Sequence, residues 1–195
     1  EKLENPVNDR IGMHAIFSLD ISGSMKMGAS PKDEPEEERT YFSRYDLLIH
    51  SVLAAVKLMN KKDKMTVFVY NSRAELLVDA VEMDESGKEY VKDKLTNKSP
   101  SGTTNIWDGL HKCLKKAETE DPDGRLTNII MLTDGEPTVR PPQGEVKMLD
   151  LYLDEYEEKY SQKYPFPVTM IGFGYSLNKD LLNYISKKTG GDFLF

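Results

Sequence analysis

Three short segments of this 195-residue chain carry oxygen-bearing side chains at a spacing that suits a hard metal ion. The first is an Asp-x-Ser-x-Ser sequence, in which Asp20, Ser22 and Ser24 follow directly on an apolar run. Carboxylate and hydroxyl oxygens are the ligands that magnesium takes, at about 2.0–2.1 Å in near-octahedral geometry. This segment therefore supplies one acid and two neutral hydroxyls, which form a compact set of hard ligands.

Two segments further along the chain offer ligands of the same kind. A polar loop at residues 99–105 contains Thr103 and Thr104 and leads into a predicted helix, and a Leu-Thr-Asp-Gly turn contains Asp134. Asp20 and Asp134 each come just after a predicted core strand. Because ligands bind at the carboxyl ends of the strands in open parallel sheets, we expect the two acids to share one rim.

Together the three segments resemble the metal-ion-dependent adhesion site (MIDAS) of von Willebrand factor type A domains. The resemblance implies a magnesium site, with manganese or calcium as alternatives, formed by Asp20, Ser22, Ser24, Thr104 and Asp134. Thr103 stands where the family often has a second glycine, so that Thr103 stays an alternative to Thr104. The resemblance also implies that the two acids act mainly through bound waters. An ion held in this way keeps an open coordination position that favours a carboxylate from outside.

Each of these residues also has a structural role open to it. The two acids could cap turns after their strands, and the two serines could serve as turn residues or as a helix N-cap. Thr104 with Asn105 could cap the following helix. The metal hypothesis rests on all three motifs occurring together, in this order and at predicted strand ends.

The elements that must position these residues alternate along the chain. Apolar and β-branched runs predict strands at residues 11–19, 64–70, 76–81, 128–133, 167–173 and 190–195. Helical periodicity predicts helices at residues 45–59, 85–95, 106–116, 149–160 and 179–188, of which the first is apolar over most of its length and predicted to be largely buried. The alternation predicts an α/β, doubly wound fold, with a mostly parallel central sheet, helices on both faces and residues 76–81 as a short antiparallel edge strand.

The length of the chain fits a single type A domain over residues 1–195, since domains commonly have roughly 50–250 residues. Residues 26–40 are rich in glycine, proline and acids, and they predict a flexible acidic insertion. Domains that resemble this one generally add a helix after the last strand. We therefore expect that this terminal helix is missing and that the chain is a fragment of a multidomain protein.

Composition narrows the classes of partner and compartment. The net charge of −7 argues against nucleic acid, and no apolar run approaches the roughly 20 residues of a membrane-spanning helix, which argues against membrane insertion. Cys113 is the only cysteine, so the chain forms no internal disulfide. A reducing, cytoplasmic compartment is favoured on that ground, with an extracellular location as the alternative. Cys113 itself is predicted to be a small buried hydrophobe.

The predicted function is that of a protein-binding, adhesion or scaffold module, which captures an Asp or Glu of a protein partner through magnesium. The residues around the third motif, among them Thr133, Glu136, Pro137 and Thr138, are expected to set which partner fits. No nucleophile with a positioned base is apparent, so the domain is predicted not to be an enzyme. The alternatives are a relic site without metal and a magnesium-dependent phosphoryl-transfer or hydrolytic enzyme on a similar fold. Against the enzyme, the sequence has Ser22 where a second aspartate would be needed.

Overall fold

The computed structural model describes residues 10–30, 41–121, 123–174 and 177–195, and residues 31–40 of the predicted insertion lie outside this part of the chain. Six strands form one sheet: β1 (Met13–Asp20), β2 (Lys64–Tyr70), β3 (Ala74–Glu82), β4 (Leu126–Thr133), β5 (Val168–Gly172) and β6 (Phe193–Leu194). The helices are α1 (Arg44–Leu58), α2 (Glu85–Thr96), α3 (Ile106–Thr119), α4 (Gly144–Tyr160) and α5 (Lys179–Thr189). A short 3-10 helix (Gly23–Lys26) follows β1.

The strands are arranged in the order β3-β2-β1-β4-β5-β6. All neighbouring strands pair in parallel except β2 and β3, which form an antiparallel hairpin at one edge. The predicted mostly parallel sheet with one antiparallel edge strand is thereby confirmed. In this register Asp20 lies opposite Tyr70 and Leu19 lies opposite Leu132, so that β1, β2 and β4 all end at the same rim.

Both faces of the sheet are covered by helices, as predicted. Side chains alternate along each strand, so that Ile16 of β1 joins a core cluster with α3, α4 and α5, whereas Phe17 joins a second cluster with α1 and α2. These two clusters fix β1 and β4 between layers of packed side chains. The ends of these strands are consequently held in place where the three motifs emerge.

The prediction that the first helix is largely buried is wrong. Only Leu48, Val52 and Val56 of α1 are fully buried, and they are spaced four residues apart along one stripe that faces the sheet. Apolar residues also occupy the outer side of this helix, where Leu58 is 82% exposed. Such a helix covers the sheet with one side and meets solvent with the other.

Cys113 of α3 is fully buried, as predicted, and burial raises the pKa of its thiol to about 12. A thiol in this environment stays protonated and behaves as an apolar group. Across the described stretches of the chain, no helix combines the length and the apolar character that crossing a membrane requires.

Candidate metal centre

Asp20, the last residue of β1, is completely buried, and both of its carboxylate oxygens accept hydrogen bonds. Oδ1 accepts the backbone N–H of Ser22 at 2.8 Å, and Oδ2 accepts the hydroxyl of Thr133 at 2.8 Å. Burial raises the pKa of Asp20 to about 6, while these hydrogen bonds oppose the rise. The bond to Ser22 is the turn-capping role open to Asp20, and it holds the carboxylate in one orientation.

The two serines of the first motif connect Asp20's loop to Asp134. Ser24 donates its hydroxyl to Oδ1 of Asp134 at 2.9 Å, and the Oγ atoms of Ser22 and Ser24 lie 3.1 Å apart. Because the Ser24 hydrogen is directed to Asp134, Ser22 is the donor in the second contact. Ser22 precedes the 3-10 helix, but its side chain makes no capping bond there. The hydroxyls therefore face the acids instead of capping the helix.

Backbone hydrogen bonds join the loop of the second motif to the first. Ser101 N donates to the carbonyl of Ile21 at 2.7 Å, and Gly23 N donates to the carbonyl of Gly102 at 3.0 Å. Gly102 has a φ of +78°, in a region that residues with side chains seldom adopt. A glycine here lets the two loops approach each other closely.

The two threonines of this loop have different surroundings. Thr104 is 4% exposed, its N–H donates to Oγ1 of Thr138 at 2.8 Å, and its carbonyl accepts the N–H of Thr138 at 2.9 Å. Thr103 is exposed, and its hydroxyl bonds with Oγ of Ser72 at 2.8 Å. Asn105 caps α3 by accepting the N–H of Asp108, so that the capping role belongs to Asn105 and leaves the Thr104 hydroxyl to other uses.

Arg44 is a residue of this site that sequence reasoning missed. It is the first residue of α1, after a capping box between Ser43 and Asp46, and its Nη1 donates to Oδ2 of Asp134 at 2.7 Å. The side chain is 11% exposed, against none for Asp134. A cation in the first turn of a helix opposes the helix dipole and indicates an anionic partner nearby, but nothing in the local sequence identifies that partner as Asp134.

The surroundings of Asp134 differ in part from the expectation. Thr133 and Pro137 are buried, so neither is placed to choose a partner, whereas Glu136 and Thr138 are exposed. Thr133 instead orients Asp20 through its hydroxyl. Its place at the end of a buried strand, with a side chain directed inward, was the available signal.

The donor set fits a hard divalent cation. Two fully buried carboxylates, Asp20 and Asp134, lie among hydroxyl groups, and in the described part of the chain Arg44 is the one cation that pairs with either of them. Buried negative charge in excess of its partners is costly, and a divalent ion with oxygen ligands offsets it. Within the described ranges, no group of three or more His, Cys, Asp or Glu side chains is placed to hold a metal ion, and this site accordingly combines only two carboxylates with hydroxyl groups.

Comparison with known proteins identifies the family of this fold. The family model described as the von Willebrand factor type A domain matches residues 15–136. The chain is similar to inter-alpha-trypsin inhibitor heavy chain H4 from Bos taurus, at 29% identity over 191 residues, which cover 93% of this chain and 18% of that protein. The chain thus spans less than a fifth of the length of this curated relative.

Solved structures show the same fold at low sequence identity. A von Willebrand factor type A protein from Catenulispora acidiphila superposes with a TM-score of 0.71 at 15% identity, over 93% of this chain and 38% of that one. The protein BatB from Bacteroides thetaiotaomicron gives 0.66 at 18% identity, over 93% and 89%. Proximal thread matrix protein 1 from the mussel byssus, with a zinc-occupied MIDAS motif, gives 0.63 at 19%, over 94% and 41%.

The family model covers more than half of the chain, and the fold is that of these neighbours. On this evidence, the chain belongs to the von Willebrand factor type A domain family.

Proposed function

We propose that this domain binds a divalent cation, Mg²⁺ first among the candidates, and uses it to bind an acidic side chain of a protein partner. Domains of this family typically mediate protein–protein interactions. The observation that carries the proposal is the hydrogen-bonded cluster at the rim, where the chain from Ser22 through Ser24 reaches the buried carboxylate of Asp134. The residues proposed as ligands are Asp20, Ser22, Ser24, Thr104 and Asp134.

The ligands divide into charged and neutral groups. Asp20 and Asp134 already accept hydrogen bonds at both oxygens, which suits carboxylates that act through intervening water. The hydroxyls of Ser22, Ser24 and Thr104 are neutral and leave most of the charge of a bound cation uncompensated. When bound, the ion would supply an electrophilic position for an outside carboxylate, since magnesium keeps several exchangeable sites.

The rim also leaves room for selectivity among partners. Glu136 and Thr138 are exposed beside the buried acids, and Thr103 is exposed on the neighbouring loop. A carboxylate that approaches the rim meets the negative charge of Glu136, which disfavours partners with additional acids at that point. We assign these three residues to partner contact and the buried Thr133 to the support of Asp20.

Metal binding is tested by isothermal titration calorimetry with Mg²⁺, Mn²⁺, Ca²⁺ and Zn²⁺ into chelator-treated protein at neutral pH. We expect one ion per chain, and we expect Asp20→Ala to abolish the heat while the circular dichroism spectrum stays that of the wild type. Absence of heat with all four ions at millimolar concentration would contradict metal binding and would support the alternative of a relic site without metal.

Capture of a carboxylate is tested with the Mn²⁺-loaded protein, by measuring the relaxation of water protons. Acetate is expected to displace coordinated water and lower the relaxation rate, whereas acetamide, which has a similar shape and no charge, is expected to leave it unchanged. Equal effects of both compounds would contradict recognition of an acid. In parallel, turnover of a generic phosphoester that depends on both Mg²⁺ and Asp20 would favour the enzyme alternative.

A further inference from the structure

We propose that Arg44 is an internal cation of this site, which competes with the divalent ion for Asp134 and thereby sets the metal affinity of the domain. This inference rests on the metal site proposed above. The carboxylate of Asp134 is fully buried, and its Oδ2 atom accepts Nη1 of Arg44 at 2.7 Å. A second cation that approaches Asp134 must therefore share this oxygen with the guanidinium or displace it.

The Arg44 side chain is enclosed without being fully satisfied. It is 11% exposed, and among the described residues its Nε has no hydrogen-bond partner although the atom is buried. Burial of a charged group with an unused donor is unfavourable, so that this conformation is stabilised chiefly by the bond to Asp134. An interaction that depends on one such contact is readily exchanged when a stronger cation competes for it.

The backbone around Arg44 supports this assignment. Gly174 has a φ of +87°, and a Cβ atom built on it would lie 3.1 Å from both Cζ and Nε of Arg44. The guanidinium thus rests against a glycine backbone, and the capping box of Ser43 and Asp46 fixes the helix end from which it extends. Arg44, at the start of α1, and Ser24 thereby bind different oxygens of Asp134.

The decisive variant is Arg44→Gln, which removes the charge and keeps a hydrogen-bond donor. We expect Mg²⁺ to bind this variant about tenfold more tightly than the wild type, because loss of one charge-assisted hydrogen bond changes an equilibrium by this order. In thermal unfolding, Mg²⁺ should raise the Tm of the variant by more than it raises the Tm of the wild type, at equal concentration.

Arg125→Gln is a matched control. Arg125 is 13% exposed and pairs with Asp123 and Glu82, but it lies beside the start of β4, about 30 Å from Asp134 along the strand. The control removes the same charge from a similarly enclosed position. We expect its Mg²⁺ affinity to stay within about twofold of the wild type, so that a tenfold gain in Arg44→Gln would report a local effect rather than the net charge.

The wild-type protein offers a second measurement that needs no variant. In a ¹⁵N NMR spectrum of arginine side chains, the Nε–H signal of Arg44 should shift during a Mg²⁺ titration, with the half-saturation found by calorimetry. Metal binding to the wild type together with an unmoved Arg44 signal, or with equal or weaker binding to Arg44→Gln, would overturn the competition and leave the metal site intact. Absence of binding to either protein would overturn both proposals.

Discussion

The sheet holds a buried aspartate with an arginine partner at each of its two rims, and the two pairs are built differently. At the amino rim, Asp63 accepts Nη1 and Nη2 of Arg10 at 2.7 and 2.5 Å, together with the backbone N–H groups of Met13 and Asn60. At the carboxyl rim, Asp134 accepts one hydroxyl and one guanidinium hydrogen, both from side chains. Neither carboxylate is exposed to solvent.

The difference shows how the partners of a buried carboxylate suit it either to a structural role or to the exchange of those partners for a metal ion. Burial opposes the ionised form of Asp63, but the Arg10 guanidinium and the backbone donors hold the pKa of Asp63 below its usual range. Backbone donors cannot leave without local unfolding, whereas the side chains of Ser24 and Arg44 can rotate away from Asp134. The fixed donors around Asp63 therefore suit a structural role, and the movable donors around Asp134 suit a metal ligand.

The replacement Asp134→Asn is the strongest test of this difference between the two rims. Loss of the charge is expected to weaken Mg²⁺ binding by about a hundredfold or more, because magnesium selects anionic oxygen ligands. Isothermal titration calorimetry measures the loss, and near-ultraviolet circular dichroism checks that the fold persists. Affinity that stays within tenfold would show that Asp134 is not a ligand.

The complementary replacement at the other rim is Asp63→Asn. It removes a buried charge from a set of fixed donors, and we expect the free energy of unfolding to fall by about 2–3 kcal/mol. Urea unfolding measures this change. Mg²⁺ affinity should remain that of the wild type, and a drop in affinity equal to that of Asp134→Asn would erase the distinction between the rims.

Acid sensitivity should also arise at the amino rim. Burial lowers the pKa of His14 to about 4, and its Nε2 lies 2.9 Å from Oγ1 of Thr66. The unfolded chain protonates this histidine near its usual pKa, about 6.5, so that its contribution to stability is complete above that pH and is lost as the pH falls towards 4. Between pH 7.5 and pH 5 the loss amounts to about 2 kcal/mol.

The measurement compares urea unfolding of the wild type and His14→Gln at both pH values. The glutamine does not titrate, and the variant should lose about 2 kcal/mol less than the wild type on acidification. His50→Gln, at an exposed position of α1, is the matched control for the substitution itself. Identical pH dependence in all three proteins would refute the role of His14.

The smallest expected effect separates the two threonines of the second loop. Thr104→Ala should weaken Mg²⁺ binding about tenfold by removing one neutral ligand, whereas Thr103→Ala should change it by less than about twofold. The pair is well matched, since the residues are adjacent and only their burial and partners differ. A larger effect at Thr103 would assign the ligand role to the other threonine.

Much of the fold follows from local sequence patterns. The predicted strand at residues 64–70 coincides with β2, and the acids were expected at one rim because they follow buried strands. Periodicity was a weaker guide to burial in α1, where apolar residues also occupy the outer side. Such a pattern states which residues are apolar, but the packing of the neighbouring elements decides which of them are covered.

Local sequence patterns were also a limited guide to the individual residues of the site. Its acids and hydroxyls stand in short motifs, whereas Arg44 meets Asp134 from a distance of 90 positions along the chain. A contact of this kind depends on where α1 begins relative to β4, and no spacing rule within one segment encodes it. The tertiary structure was needed to bring Arg44 into the site.

The backbone bonds among the rim loops carry a consequence for the cost of binding. The amides of Gly23, Ser101, Asn105 and Thr138 donate to carbonyls of neighbouring loops, at distances from 2.7 to 3.0 Å. These loops thus lose their conformational entropy during folding, and binding of a ligand causes little further loss. The backbone of this rim is therefore preorganised for binding, and these four amides should exchange with deuterium as slowly as those of the sheet beneath them.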